Sequence, residues 1–404
     1  MNRPNSILAA WEKTLRLRAP DAALRDDSGI VLRTFSDVET EARALGRELA
    51  IFQDGAVVAV QIGNSASWPA VLLALWRRGL VALPLGSQVE GTERRLIEAT
   101  CHVGGIVSRA GDRLTVIRRD AEPPCWEGPP PDLLKLTSGT TAAPRAVRFR
   151  AAQLHADADQ ICATMGITAA DLNFGAIPFS HSYGFSNLVT PLLTHGVPLV
   201  ATEERLPRAL WQGLRRSGAT VFPGLPVFFE KMSALDEARD GSRLRLCISA
   251  GAPLLASVAG AFTRAFGLKI HSFYGSSECG GICYDRSDEP NYDDGWVGQP
   301  MDGVRLEHTA QRIAVHSAAV GDGYFPTPDP EVLSRGRFVP GDLVEERNGG
   351  CAIVGRSTDV INIAGRKLNP GEIEGRIAAF PGVRQVVVFG VPSALRGEEP
   401  VACV

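Results

Sequence analysis

The sequence has little of what marks a membrane, secreted or nucleic-acid-binding protein. Its 404 residues carry a formal net charge of -3 with 22% charged residues, so no surplus of either sign indicates a nucleic-acid partner. The amino terminus lacks a basic segment followed by an apolar one, which argues against a secretory signal. The longest apolar run, 68–76, contains Pro69 and is far shorter than the roughly 20 residues of a membrane helix. We therefore expect a cytoplasmic protein with no integral membrane segment.

The cysteines also lack the spacing of a redox or metal site. There are eight, with no Cys-x-x-Cys pair and no histidine at ligand spacing, and they stand at positions 101, 125, 162, 247, 279, 283, 351 and 403. Free thiols in a reducing compartment are the expected state. Cys279 and Cys283 are the one close pair, and we interpret them as small packed residues in a glycine-rich turn.

The pattern of apolar residues predicts an α/β fold. With 45% hydrophobic residues, a chain of 404 residues can build two or three domains. A β-branched run at 57–62, a helical segment at 65–78 and a second run at 81–83 predict a β-α-β unit. Similar alternation continues to about residue 271. It predicts a large domain of mostly parallel sheets layered with helices.

The pattern of predicted secondary structure changes in the last quarter of the sequence. After about residue 295 short alternating strands predict a small β-barrel-like subdomain, at about 295–357. At 369–372, Asn-Pro-Gly-Glu predicts the start of a helix with Ile373, Ile377 and Phe380 on its apolar face. We therefore expect an N-terminal domain at 1–357 and an incomplete small α+β domain at 358–404, too short to be self-sufficient.

A loop rich in small and hydroxylated residues follows the apolar run 133–136. It reads Thr-Ser-Gly-Thr-Thr-Ala at 137–142 and leads into Pro144 and Arg145. Backbone N–H groups and hydroxyls in such a loop suit polyphosphate oxygens, and Arg145 adds a fixed positive charge. Taken alone, such a cluster is more often a plain turn.

Four further motifs lie where strands end or turns begin, the usual place of ligands in α/β sheets. The segment 249–253 offers a flat surface for a purine, or is an ordinary tight turn. The segment 273–278 combines aromatic rings, a small-residue turn and Glu278, which suits stacking and Mg²⁺ coordination. Asp342 suits ribose hydroxyls, or belongs to an Asp-containing turn. Arg356 could reach ribose or phosphate, or is a surface charge.

In order and spacing these motifs resemble those of the adenylate-forming superfamily, which includes acyl-CoA synthetases, aryl-CoA ligases, luciferases and the adenylation domains of peptide synthetases. The resemblance covers nearly the whole chain. It extends to 178–184, which is similar to the family's acyl-pocket motif, and to 363–374, which is similar to the start of its C-terminal domain. It implies that a carboxylate attacks the α-phosphate of ATP, releasing pyrophosphate, and that a thiol then captures the acyl-adenylate.

The resemblance also implies a role for each matched residue. Glu278 would hold Mg²⁺, the loop at 137–145 the β- and γ-phosphates, Tyr274 the adenine, and Asp342 with Arg356 the ribose. His181 would stand at the acyl or thiol tunnel, although a hydrogen-bonded core histidine is the alternative. The implied catalytic residues are Thr137, Arg145, His181 and Glu278. The implied nucleotide-binding residues are Thr137, Ser138, Gly139, Thr140, Thr141, Arg145, Gly251, Ala252, Pro253, Tyr274, Gly275, Ser276, Ser277, Asp342, Arg356 and Gly365.

The sequence departs from the family's pattern at three places. Residues 142–145 read Ala-Ala-Pro-Arg where Gly-x-Pro-Lys is usual, so ready access to a positive φ is lost and a planar guanidinium replaces an ammonium. Thr358 stands at the hinge, where Asp or Lys is usual. The family's adenylation lysine would lie beyond Val404, and Lys367 does not replace it by motif position. We expect adenylation to be impaired in the chain as written, and interpret the sequence as incomplete.

The leading hypothesis is an acyl-CoA synthetase that uses ATP, Mg²⁺ and CoA on a fatty or similar hydrophobic carboxylic acid. One alternative delivers the acyl group to the phosphopantetheine of an acyl carrier protein. Another is a non-catalytic module that binds a nucleotide or an acyl ligand. The sequence leaves the acid, the acceptor and the oligomeric state open.

Overall fold

The computed structural model describes residues 5–111, 113–137, 144–236, 242–290, 293–309, 312–334, 336–357, 361–363, 366–368, 370–378, 380–383, 385–393 and 397–404. Several residues singled out in the sequence lie outside the described residues: Ser138, Gly139, Thr140, Thr141, Ala142, Ala143, Thr358, Gly365 and Asn369.

The helices are α1 (Ser6–Arg18), α2 (Phe35–Glu48), α3 (Trp68–Arg77), α4 (Gly91–Thr100), α5 (Ala151–Met165), α6 (Ser182–Gly184), α7 (Thr190–His195), α8 (Pro207–Ser217), α9 (Pro226–Ser233), α10 (Ala256–Phe266) and α11 (Pro370–Ala378). A π turn at Phe185–Val189 joins α6 to α7, and a 3₁₀ turn at Leu49–Ile51 follows α2.

The strands are β1 (Ala22–Arg25), β2 (Val31–Thr34), β3 (Val57–Gln61), β4 (Val81–Pro84), β5 (Val103–Ala110), β6 (Arg113–Arg118), β7 (Leu133–Leu136), β8 (Ala146–Phe149), β9 (Asn173–Gly175), β10 (Leu199–Ala201), β11 (Val221–Gly224), β12 (Leu246–Ser249), β13 (Ile270–Ser276), β14 (Gly280–Tyr284), β15 (Trp296–Pro300), β16 (Val304–Thr309), β17 (Arg312–Ser317), β18 (Gly323–Phe325), β19 (Leu333–Ser334), β20 (Arg337–Phe338), β21 (Asp342–Arg347), β22 (Gly350–Arg356), β23 (Ile361–Ile363), β24 (Arg366–Leu368), β25 (Val387–Ser393) and β26 (Gly397–Cys403).

Two large mixed sheets, layered with helices, form the N-terminal part and confirm the α/β prediction. One has 11 strands in the order β2-β1-β10-β9-β11-β12-β13-β14-β15-β22-β21, and the other has 7 in the order β18-β8-β7-β4-β3-β5-β6. In the first sheet the neighbouring strands β1, β10, β9, β11, β12 and β13 pair in parallel, and in the second sheet β7, β4, β3 and β5 do so. The other strands of both sheets pair antiparallel. The parallel prediction thus holds at the sheet centres. At the margins the strands pair antiparallel, a pairing that needs no crossover helix.

The strands between 295 and 357 divide among three sheets. Strands β15, β21 and β22 extend the 11-stranded sheet, and β18 completes the 7-stranded sheet. The strands β16, β17, β20 and β19 form a four-stranded sheet of their own. The predicted β-barrel-like subdomain therefore contributes to both large sheets, because their margins offer backbone groups that need a partner strand.

The C-terminal segments form a small α+β unit. Strands β24, β23, β26 and β25 make a four-stranded sheet, and α11 contacts β25. Phe380 was predicted on the apolar face of α11, but this prediction is wrong. The helix ends at Ala378, and Phe380 is 66% exposed.

Helix α3 shows why the longest apolar run folds inside the protein. Pro69 occupies the first turn, where its missing N–H has no intrahelical acceptor to lose, and every residue from 68 to 76 is buried. The run therefore forms a helix buried in the core. Among the described residues, no helix is both long enough and apolar enough to cross a membrane.

Candidate active site

The predicted site residues lie after neighbouring parallel strands. Strands β11, β12 and β13 are adjacent in the 11-stranded sheet and run parallel, so their carboxyl ends share one edge. Residues 250–253 follow β12, and the turn with Glu278 follows β13. The Tyr183 hydroxyl donates to the carbonyls of Ile248 (3.1 Å) and Gly224 (3.4 Å), which fixes the segment after His181 against this same edge.

Tyr274, Asp342 and Arg356 form one hydrogen-bonded cluster. The Tyr274 hydroxyl donates to Asp342 Oδ2 at 2.6 Å, and Arg356 Nε donates to Asp342 Oδ1 at 3.0 Å. Asp342 begins β21 and Arg356 ends β22, where the two residues pair directly across the hairpin. Burial raises the pKa of Tyr274 well above its usual value, and the Asp342 carboxylate raises it further, so the phenol remains a donor. Each carboxylate oxygen keeps a lone pair for a ligand hydroxyl.

Glu278 lies at the head of the hairpin formed by β13 and β14. The Tyr324 hydroxyl donates to Glu278 Oε1 at 3.1 Å. The N–H of Glu278 donates to Ser276 Oγ at 3.2 Å, and its carbonyl accepts from the N–H of Gly321 at 2.9 Å. The turn returns through Gly280 at φ +69°, and a Cβ there would collide with the Asp157 carboxylate. Backbone and side-chain bonds thus fix this carboxylate.

The residues around Glu278 differ in exposure. Gly275 is exposed, whereas Ser276, Ser277 and Glu278 are half-buried. Ser182 Oγ donates to Ser277 Oγ at 2.8 Å, which joins the segment after His181 to this hairpin. Cys279 and Cys283 are buried free thiols on the same hairpin, in agreement with their interpretation as packed small residues.

Gly251, Ala252 and Pro253 form an exposed surface at the end of β12. Gly251 has φ +82°, a conformation that glycine adopts without strain. Because β12 pairs with β13, which ends in Tyr274, Gly275 and Ser276, this surface lies at the sheet edge that also carries the tyrosine.

Thr137 and Arg145 close the neck of the predicted phosphate loop. The N–H of Thr137 donates to the Arg145 carbonyl at 2.9 Å, and Thr137 Oγ1 donates to the same oxygen at 3.2 Å. Directly before and after them, β7 and β8 pair antiparallel. The structure therefore adds a return strand that the sequence did not indicate, and it brings the two ends of the loop together.

Tyr324 was missed by the sequence analysis. It lies on β18 and is 2% exposed, and the guanidinium carbon of Arg145 lies 3.6 Å from its ring centroid. Its hydroxyl contacts Glu278, 46 positions away. A single tyrosine between Gly323 and Phe325 carries no sequence signal for such a contact.

His181 caps the short helix α6 at the surface. Its Nδ1 accepts from the N–H of Tyr183 at 3.3 Å. Although solvent reaches the side chain, desolvation by the protein around it lowers the pKa of His181, and the Lys135 ammonium lowers it further. The ring is therefore neutral at pH 7. Its exposure does not fit the alternative of a core histidine.

Lys135 is a second residue that the sequence analysis missed. It is 4% exposed, its Nζ donates to Ser186 Oγ at 3.1 Å, and it lies 4.8 Å and 5.5 Å from the Phe149 and Phe185 ring centroids. Desolvation lowers the pKa of Lys135, and Asp157 opposes the shift. Asp157 is also buried, and its Oδ1 accepts from the N–H of Gly281 at 3.0 Å. Lys135 and Asp157 are therefore two buried polar side chains close to the Glu278 hairpin.

We expect Lys135 and Asp157 to be energetically coupled. Lys135→Met leaves the Asp157 carboxylate without this cation, and Asp157→Asn leaves the ammonium without this anion, so each change should cost about 1–3 kcal/mol. The double variant should lose less than the sum, by about 1 kcal/mol. Urea unfolding of the four proteins measures this coupling. Additive losses would contradict it.

Glu278 is suited to hold a divalent cation together with a nucleotide. Among the described residues no group of three or more His, Cys, Asp or Glu side chains could form a metal cage. Mg²⁺ commonly binds through one or two carboxylates and substrate phosphates. Tyr324 occupies Oε1 of Glu278, and the second oxygen suits that type of site.

Comparisons with known proteins identify the family of this chain. The family model described as AMP-binding enzyme matches residues 12–309. The sulfoacetate–CoA ligase of Cupriavidus necator is 25% identical over 94% of this chain and 84% of the relative. The feruloyl-CoA synthase of an Amycolatopsis species is 25% identical over 98% and 87%. The long-chain-fatty-acid–CoA ligase of Bacillus subtilis is 26% identical over 66% of this chain and 51% of the relative.

Solved structures share the fold. ATP-bound MatB from Rhodopseudomonas palustris superposes with a TM-score of 0.86 at 22% identity, over 99% of this chain and 88% of that one. The anthranilate CoA ligase AuaEII in complex with anthranoyl-AMP gives a TM-score of 0.82 at 20% identity, over 100% and 86%.

Proposed function

This chain belongs to the AMP-binding enzyme family and is an acid–thiol ligase, and from that premise we propose that it joins a fatty or other hydrophobic carboxylic acid to CoA through an acyl-adenylate. The observation that carries the proposal is the cluster of Tyr274, Asp342 and Arg356 at one sheet edge with the Glu278 hairpin. It offers a ring for a base, a carboxylate for ribose hydroxyls and a carboxylate for a cation.

The first half-reaction brings two anions together. An oxygen of the acid attacks the α-phosphorus of ATP, and the bond from that phosphorus to the pyrophosphate oxygen breaks. Arg145 provides positive charge at the neck of the phosphate loop, and Thr137 holds that neck closed. Mg²⁺, when bound through Glu278 and phosphate oxygens, would neutralise charge on the departing pyrophosphate.

The second half-reaction releases AMP. The sulfur of CoA attacks the acyl carbon, and the bond from that carbon to the phosphate oxygen breaks. His181 is exposed beside Ser182, which bonds to the Glu278 hairpin, and we place it at the passage for the thiol or the acyl chain. Residues 358–404 are proposed as part of the small domain that covers the site, with 1–357 as the nucleotide-binding domain.

Buried apolar side chains at this edge of the sheet support an apolar acid. Tyr183 and Phe273 are buried with ring centroids 5.9 Å apart, and Ala250 adds a small apolar side chain at the end of β12. The named relatives act on acids as different as sulfoacetate and long-chain fatty acids, so the class of acid is the finer part of the proposal.

Acid-dependent exchange of labelled pyrophosphate into ATP tests the function. The panel should include fatty acids of graded length, aromatic acids and dicarboxylic acids. We expect exchange with at least one apolar acid. When CoA is added, we expect that acid to form a thioester, which mass spectrometry detects. A parallel reaction with phosphopantetheinyl carrier proteins distinguishes the acceptor. A chain that binds AMP yet supports neither exchange nor thioester formation with any acid would contradict the proposal.

A further inference from the structure

We propose that Tyr324 is a positioning residue that holds the Glu278 carboxylate for the metal of MgATP and is itself held by Arg145. This role rests on the proposed function and adds to it a link between two parts of the site. Arg145 is more than a hundred positions away from Glu278 and Tyr324, which are themselves 46 positions apart. The three residues nevertheless form one continuous line of contacts from the neck of the phosphate loop to the head of the β13–β14 hairpin.

The first contact is a stack of planar groups. The guanidinium carbon of Arg145 lies 3.6 Å from the centroid of the Tyr324 ring, which is the distance of direct face contact. A guanidinium is planar and can cover a ring while its N–H groups point outward, whereas an ammonium is a compact point charge. This contact gives a physical reason for arginine at a position where the family usually has lysine.

The second contact is a charge-assisted hydrogen bond. The Tyr324 hydroxyl donates to Glu278 Oε1 at 3.1 Å. Burial raises the pKa of Tyr324, and the Glu278 carboxylate raises it further, so the phenol stays protonated and donates. The bond holds Oε1 of the carboxylate in place. Because the carboxylate is rigid, this also orients its second oxygen.

The backbone supports both contacts. Strand β18 pairs antiparallel with β8, and Tyr324 lies opposite Val147. Arg145 directly precedes β8, so the stack is set by the register of this pair. The N–H of Gly321, just before β18, donates to the Glu278 carbonyl at 2.9 Å. The segment that carries Tyr324 is thus tied both to β8, which follows the phosphate loop, and to the Glu278 hairpin, and the tyrosine sets their spacing.

The test compares nucleotide affinity with and without the metal. Tyr324→Phe keeps the ring and its stack but removes the hydroxyl, and Arg145→Lys keeps the charge but removes the planar stack. Tyr284→Phe is the matched control, because this ring lies on β14 and stacks on His271, away from Glu278. Calorimetry gives the affinity of each protein for AMP in EDTA, for ATP in EDTA and for ATP with Mg²⁺.

Mg²⁺ should raise the ATP affinity of the unmodified protein. We expect this increase to be about tenfold smaller in Tyr324→Phe, because one charge-assisted hydrogen bond to the carboxylate is absent. Its affinity for AMP should stay within twofold of the unmodified protein. Arg145→Lys should lose a smaller part of the same gain, and Tyr284→Phe should lose none.

Two results would overturn the role. One is that Mg²⁺ raises the ATP affinity of Tyr324→Phe as much as it raises that of Tyr284→Phe. The other is an equal loss of AMP and MgATP affinity with a lowered unfolding midpoint, which indicates a merely structural residue. Failure of the unmodified protein to bind either nucleotide would instead overturn the proposed function on which this role depends.

Discussion

Replacing Glu278 by glutamine is expected to reduce acid-dependent pyrophosphate exchange by about 10²–10³-fold, the loss typical of removing one electrostatic group at a reacting centre. Gln has the same shape, and its amide oxygen can still accept from the Tyr324 hydroxyl at the head of the hairpin. The substitution therefore removes the negative charge of the side chain and preserves its contacts. Exchange rates at saturating ATP measure the effect on the chemical step.

Glu289→Gln is the matched control for this variant. It makes the same chemical change at an exposed position beyond β14, and it should leave exchange within twofold. The Mg²⁺ concentration for half-maximal exchange should rise in Glu278→Gln only. If Glu278→Gln exchanged pyrophosphate as fast as the control, this carboxylate would have no part in the reaction.

Replacing Asp342 by alanine is expected to weaken AMP binding by about 10²–10⁴-fold. The carboxylate is the acceptor for both Tyr274 and Arg356, and it is proposed to accept from the ribose hydroxyls. Two hydrogen bonds to a charged group, each worth about 1.5–3 kcal/mol, make the expected loss large. Calorimetric titration with AMP measures it directly and needs no acid or metal.

The same change leaves the buried Tyr274 hydroxyl without its acceptor, which should cost about 1–3 kcal/mol of stability. The double variant Tyr274→Phe/Asp342→Ala removes that hydroxyl and recovers part of the stability, but it should not recover AMP binding. Glu346→Gln on the same strand is the control for binding, because this side chain is exposed. If Asp342→Ala bound AMP as tightly as Glu346→Gln, the ribose assignment would be wrong.

The sequence predicted those features that depend on short stretches of chain. The apolar run at 68–76 and its flanking strands predicted a buried helix between parallel strands, and α3, β3 and β4 confirm it. The turns that follow β12 and β13 were also identified, because small residues and a carboxylate after a buried strand form a local pattern. Their common sheet edge then follows from parallel pairing.

Contacts between distant segments could not be predicted in this way. The Tyr324 hydroxyl reaches Glu278 only because β18 pairs with β8 at the margin of the 7-stranded sheet, and no local pattern specifies that pairing. Lys135 lies within an apolar run, and only the packing of Ser186, Phe149 and Phe185 around it shows that its ammonium is buried. The division of the strands at 295–357 among three sheets has the same origin.

Titration of the folded protein with AMP tests the central claim most directly, because the claim is that separate turns meet in one nucleotide site. We predict saturable binding of one AMP per chain, weakened by Asp342→Ala and unaffected by Glu346→Gln. Folded protein that takes up no AMP at millimolar concentration, or that binds it equally in both variants, would contradict the account.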